Sequence, residues 1–304
     1  MSHPRPSTPP AAPITDAERA WLHARAAELG VDAGAACAGP LSAGADGRIV
    51  LSADAAVSAL KPLAGGDGVP TFLGEQAHLG AGETLVITSP RREPVHVVLG
   101  RLTVADGGRV VVETPVELWA ATAALEANSV VEAMGRIGRD GRAGNQGRDG
   151  QHEGRYWEGA TGGPGEPGGR GEDGAGGMLW FGEVRGTLTV VAGGGSGGAG
   201  GKGGTGGPGF TQGASGGVGG NGGVGGPGGD AGNGGSVVIV VGTMAPGTAI
   251  YPLARPGVPG PGGGPGDPGP GGGSRPLRGH RGTAGPPGNL GHAPDFAIRY
   301  RGDA

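Results

Sequence analysis

The sequence predicts a mostly β and polyproline II fold: a β-solenoid-like stack carrying a bundle of six antiparallel polyglycine II helices in three hairpins, with one short N-terminal helix. Three observations predict it. Glycine (77) and proline (27) together make up about a third of the 304 residues. Glycine recurs every third residue over long tracts that come in pairs. Short β-branched segments separate one pair from the next. A polyproline II helix has about three residues per turn and no internal hydrogen bonds. Glycine at every third position therefore gives it a bare edge. Along that edge another backbone can approach and exchange the bonds that buried N–H and C=O groups require.

The elements follow in order. Residues 1–13, "MSHPRPSTPPAAP", read as a Pro-rich flexible arm. A short helix and linker occupy 14–46. Thr15 with Glu18 three residues on forms a capping box. Leu22, Ala26 and Leu29 share a face, and Gly30 stands where a C-terminal cap belongs. Trp21 on this helix suits either docking or internal packing. Residues 47–134 are β-rich: "RIVLSA", "TLVITS", "VHVVLG", "RLTVA", "RVVVET" and "VELWAA" are short and β-branched, with Gly, Pro or Asp between them.

Residues 135–304 hold the glycine-rich bundle with interleaved strands. The tracts run from Gly135 to Gly150 and Gly159 to Gly177, then Gly194 to Gly209 and Gly213 to Gly228, then Gly257 to Gly272 and Gly279 to Gly291. Trp119, Trp180, Ile239 and Ile298 occupy similar places at intervals of 61, 59 and 59 residues, an internal repeat. Leu179, Val238, Val240 and Ile298 are the expected core of the stacked strands. The middle pair has few prolines and few charges, which places it at the centre. A collagen-like trimer and plain disorder are the rival readings of such tracts.

The paired Gly-X-X tracts resemble the snow flea antifreeze protein fold and the glycine-rich tip adhesins of T-even-like phage long tail fibres. The middle tract resembles the repetitive part of mycobacterial PE-PGRS surface proteins. The resemblance implies stacked polyglycine II helices and, for the adhesins, receptor-reading loops at the far end. It maps no functional residue individually.

Composition excludes several classes. A net charge of −4 gives no general affinity for nucleic acid. The single cysteine, Cys37, leaves no intrachain disulfide. The apolar runs are too short for a transmembrane segment. The N-terminus has no apolar core of a secretory signal peptide, so a virion or cell-exterior location would need another route. No enzyme signature, metal-ligand spacing or cofactor motif stands out. "GGAGGKGGTGG" lacks the Ser or Thr that must follow the lysine of a phosphate loop, because Gly203 follows Lys202. Arg301 to Asp303 copies an integrin tripeptide, a cheap match.

The turns between paired tracts hold the candidate binding residues: His152, Arg155, Tyr156 and Trp157, then Phe210 and Gln212, then Arg275, Arg278, His280 and Arg281. Tyr, Trp and Arg are enriched in binding hot spots. The bland reading is that the rings cap the end of the bundle. The expected function is a non-enzymatic binding or adhesive protein presenting these loops at the tip of a rigid bundle. The alternative is a structural surface, coat or matrix protein with the bundle as spacer; ice binding is the third. Expected partners are a surface glycan or envelope receptor, with protein attachment through the N-terminal region.

Overall fold

The computed structural model describes residues 13–36, 39–54, 56–149, 158–212, 215–273 and 277–301. Two helices come first, α1 (Asp16–Glu28) and the single turn α2 (Ala33–Ala36). Strands follow: β1 (Arg48–Ser52), β2 (Leu63–Ala64), β3 (Pro70–Leu79), β4 (Thr84–Thr88), β5 (Val95–Val104), β6 (Arg109–Val112), β7 (Val116–Leu125), β8 (Val130–Met134) and β9 (Gly177–Gly193). The rest are β10 (Thr211–Gln212), β11 (Ser215–Gly216), β12 (Val237–Met244), β13 (Ala249–Ala254) and β14 (Phe296–Tyr300).

Nine strands lie on one continuous path, β1-β4-β6-β8-β9-β7-β5-β3-β2, with β12, β13 and β14 attached beyond β9. Its pairs are parallel except β2 with β3, so the sheet is mixed. The path folds over at β9. The first part of β9 pairs with β7 and β12, and the part from Thr187 pairs with β8 and β13. Gly186 sits at the fold line with φ of 84°. A Cβ there would stand 1.9 Å from the Leu125 carbonyl oxygen, so only glycine fits. The result is an open half-barrel with two flanks.

The apolar core lies between the flanks. Phe72, Val97, Leu118, Leu179 and Ile239 form one inward row by register. Ile49, Leu85, Val110, Val131 and Val190 face them from the other flank. A second cluster lies outside the first flank, where Leu22 and Ala26 of α1 pack on Leu73, Val98, Trp119 and Trp180. Trp21 stacks on Trp180 with ring centroids 5.3 Å apart, and the Arg25 guanidinium lies 5.4 Å from the Trp119 ring centre. The capping box forms as spaced: the Thr15 hydroxyl accepts from the Glu18 N–H, and the Glu18 carboxylate accepts from the Thr15 N–H.

This architecture corrects the expected fold class. In place of a β-solenoid-like stack joined to a bundle of six polyglycine II helices, the chain is a mixed β half-barrel, and α1 is its one helix longer than a single turn among the described residues. The physical reason lies in where the apolar groups go. The core residues come almost wholly from strands, so the sheet, not the glycine tracts, organises the fold. Strand β9 runs unbroken through the bend and merges the two flanks, which a stack of separate coils would not do. Apart from β11 and the first residue of β9, the described residues of the tracts carry neither α-helix nor strand. They are extended chain tied sideways by backbone bonds, as where the N–H groups of Gly138, Gly141 and Gly144 donate to the carbonyls of Ser196, Ala199 and Lys202 at 2.7–2.8 Å. The likeness to antifreeze and tail-fibre glycine bundles falls with the fold class, and so do the collagen-like and solenoid descriptions.

The repeat is also corrected by one residue. Trp119 does pair with Trp180, but Trp180 pairs with Val240, and Ile239 pairs with Leu179 and Ile298. Side chains alternate between faces of a strand. Val237, Ile239 and Val241 therefore point into the core, while Val238 and Val240 lie on the outer face and are only half-buried. Leu179 is core as expected, and Ile298 packs at its margin. Ile239→Ala should cost about 2–5 kcal/mol, and Val240→Ala distinctly less. Chemical denaturation of the two variants checks the register; equal costs would contradict it.

Candidate functional site

The expected binding turns do not form a described site. His152, Arg155, Tyr156, Trp157 and Arg275 lie outside the described residues. Gln212 is described only as backbone of the two-stranded β10-β11 pair. Phe210 is half-buried, and its carbonyl accepts from the Gly217 N–H. Arg278 is exposed. The His280 N–H donates to Asn221 Oδ1 at 2.7 Å, and Arg281 stands 3.9 Å from Asp267, which also pairs with Lys202. His280 and Arg281 of the third turn are thus engaged along the tracts. The adhesive function, with loops on a rigid bundle, is corrected: the molecule is a globular half-barrel with its core between sheet flanks. The spacer and ice-binding alternatives rested on the same bundle and go with it. Arg301, first residue of the integrin-like tripeptide, lies over the Trp180 ring at 5.6 Å.

The structure instead builds a polar cleft of about 570 Å³ between the N-terminus of α1 and the first flank. Parallel register makes it. Gln76, Arg101, Thr122 and Glu183 stand side by side on β3, β5, β7 and β9. The next outward row is His78, Thr103, Ala124 and Arg185. Two residues, Gly100 and Arg101, separate the buried Leu99 from the buried Leu102 where alternation would place one. The strand therefore bends there and brings Arg101 to the outside. Thr15, Ala17 and Glu18 close the cleft from the helix side.

Its charges are paired. Arg101 Nε donates to Glu18 Oε1 at 2.8 Å, and Arg101 Nη2 to Glu18 Oε2. Burial pushes the Glu18 carboxyl up. Hydrogen bonds from Arg101, from the Thr15 N–H and hydroxyl, and from Thr122 more than offset this and hold it at about 2. Arg185 forks onto Glu183 at 2.9 and 3.0 Å, and that carboxylate raises the guanidinium above its usual range. His78 has both ring nitrogens shielded from solvent with no hydrogen-bond partner among the described residues.

Sequence reasoning missed these residues because they are far apart along the chain. One signal was present: a small residue followed by a polar one recurs in successive strands as Gly100-Arg101, Ala121-Thr122 and Gly182-Glu183. Among the described residues no group of His, Cys, Asp and Glu side chains could hold a metal ion, and no helix is long and apolar enough to cross a membrane. No family model, no curated protein and no solved structure matches the chain.

Proposed function

We propose that the protein is a non-catalytic binder of a neutral, polyhydroxylated ligand, a glycan, held in the cleft beneath α1. The observation that carries this reading is the double row of hydrogen-bonding side chains on rigid parallel strands with its charges cancelled in pairs. A sugar hydroxyl both donates and accepts. The cleft offers the same mixture: carboxylate lone pairs on Glu18 and Glu183, N–H groups on Arg101 and Arg185, and hydroxyl and amide groups on Thr103, Thr122 and Gln76. Two guanidinium groups against two carboxylates leave no net charge to favour an ionic ligand. Neighbouring strands are spaced about 4.8 Å apart, so the two rows present their groups at a regular interval. Against catalysis, Glu18 is held ionised at neutral pH and Glu183 is engaged by both nitrogens of the Arg185 fork. Neither is placed as a proton donor.

The test is a glycan array followed by titration calorimetry on the hits. Neutral oligosaccharides should bind, and Thr103→Val or Thr122→Val should each weaken binding by roughly tenfold, the value of about one hydrogen bond to a fixed group. Melting temperature should change little for Thr103→Val. An array without neutral hits, or hits indifferent to both substitutions, would overturn the reading.

A further inference from the structure

We infer that a second cleft, at the start of the first flank, is a binding site for an ω-amino acid, with its ammonium end held by Asp67, Glu117 and His96 and its carboxylate by Arg299. This cleft, of about 420 Å³, is separate from the one beneath α1. His96 lines it and is 6 % exposed. Its Nδ1 has no hydrogen-bond partner among the described residues. Its Nε2 faces Asp67 Oδ2 at 3.9 Å and Glu117 Oε2 at 3.8 Å, both beyond hydrogen-bond reach. The edge of Trp119 against the imidazole holds the ring in place, with centroids 5.2 Å apart.

Asp67 is oriented as well: its Oδ1 accepts from the Val69 N–H at 2.9 Å, so Oδ2 is the oxygen turned to His96. Neither carboxylate is paired with a lysine or arginine among the described residues. Two carboxylates and a buried imidazole thus converge on one point with none of their mutual bonds made. An alkylammonium has three N–H donors and no acceptor. Set between these groups, it would give one donor to each carboxylate and one to the lone pair of the imidazole Nε2. It would also neutralise the repulsion between the two acids.

The other end of the cleft has the opposite character. By register, Glu117, Met178 and Val238 stand side by side on β7, β9 and β12. Arg299 lies on the next strand, β14, and lines the same cleft with no ion pair among the described residues. From β7 to β14 is three strand spacings, roughly 14 Å across the strands, and Arg299, opposite Val240, is offset from the Val238 row by two residues along them; side chains reaching in from both ends shorten the span. The floor between is the apolar surface of Met178 and Val238. A cationic head, an aliphatic middle and an anionic tail match acid, apolar floor and base in that order.

Titration calorimetry of the full chain with ε-aminocaproate tests this, with hexylamine and hexanoate as single-ended comparators. The expected result is binding of ε-aminocaproate with one site, and binding of each comparator weaker by about tenfold or more, as loss of a charge-assisted pair implies. Glu117→Gln and Arg299→Gln should each weaken ε-aminocaproate by a similar factor with the melting temperature unchanged, since both side chains sit at the surface. Arg142→Gln, on a glycine tract, should leave binding as in the parent. The inference is overturned if ε-aminocaproate does not bind, if hexylamine binds equally well, or if either cleft substitution has no effect.

Discussion

Gly200→Val should abolish the cooperative melt of the protein, and Gly222→Val should do the same. A Cβ on Gly200 would stand 2.1 Å from the Gly226 carbonyl oxygen and 2.7 Å from the Gly263 nitrogen. On Gly222 it would stand 2.0 Å from the Gly266 carbonyl oxygen. No real side chain tolerates such contacts, and the obstacles are backbone, which cannot rotate aside. The neighbouring tracts must separate. That breaks not one hydrogen bond but a run of them, because the Gly200 N–H donates to the Pro261 carbonyl and the flanking glycines donate in the same way. Burying unpaired backbone groups and losing the run together cost on the order of 5 kcal/mol or more, comparable with the whole stability of a domain. Arg142→Val is the control. Its side chain is exposed, and its change should fall within about 0.5 kcal/mol. Calorimetric melting of the three variants decides the matter. Equal melting temperatures would show that the tracts are not packed as described.

The second large effect is expected at the Glu18–Arg101 pair. Arg101→Ala leaves the Glu18 carboxylate, with 9 % of its side chain exposed, without its main partner. The cost should be about 2–4 kcal/mol, the range for breaking a mostly buried pair reduced for the partial exposure of the arginine. It should fall first on the seating of α1 and be seen as a change in Trp21 and Trp180 fluorescence. The same pair sets an acid limit. The Glu18 carboxyl lies at about 2 in the folded chain against an ordinary 4.5. Its contribution to stability is therefore complete above about pH 4.5 and is lost as the pH falls towards 2. Parent protein should lose the stacked-tryptophan signal over that window. Arg101→Ala should show much less pH dependence there. An unchanged acid profile in the variant would mean that this pair does not hold the helix.

Some of this was legible in the sequence for local reasons. The capping box at Thr15 and Glu18 needs only a spacing of three, and it forms. Close backbone approach along the glycine tracts also needs only the absence of side chains at a fixed period. The tripled spacing announces it, and the contacts at Gly200 and Gly222 show it. The rank of these features is not legible locally. A period of three is loud in the sequence, whereas the strands that carry the core have no comparable mark, so the sequence alone gives the tracts the greater weight. The phase of "VVIVV" was also beyond reach, since both faces of β12 are apolar and alternation cannot tell Ile239 from Val240.

The sequence by itself determined the helix start, several of the strand segments, though not β3, and the close backbone approach of the glycine tracts. Each rests on composition or on residues a few positions apart. Only the tertiary structure decided the half-barrel, the inward phase of β12 and both clefts. These depend on register across several strands, which brings together residues far apart along the chain: Arg101 beside Thr122 and Glu183, and His96 beside Glu117 and across from Arg299. Local spacing carries no information on such pairings. They are set when the apolar rows on the two flanks close on each other, because a slip of one residue would turn Phe72, Leu118 and Ile239 out to water.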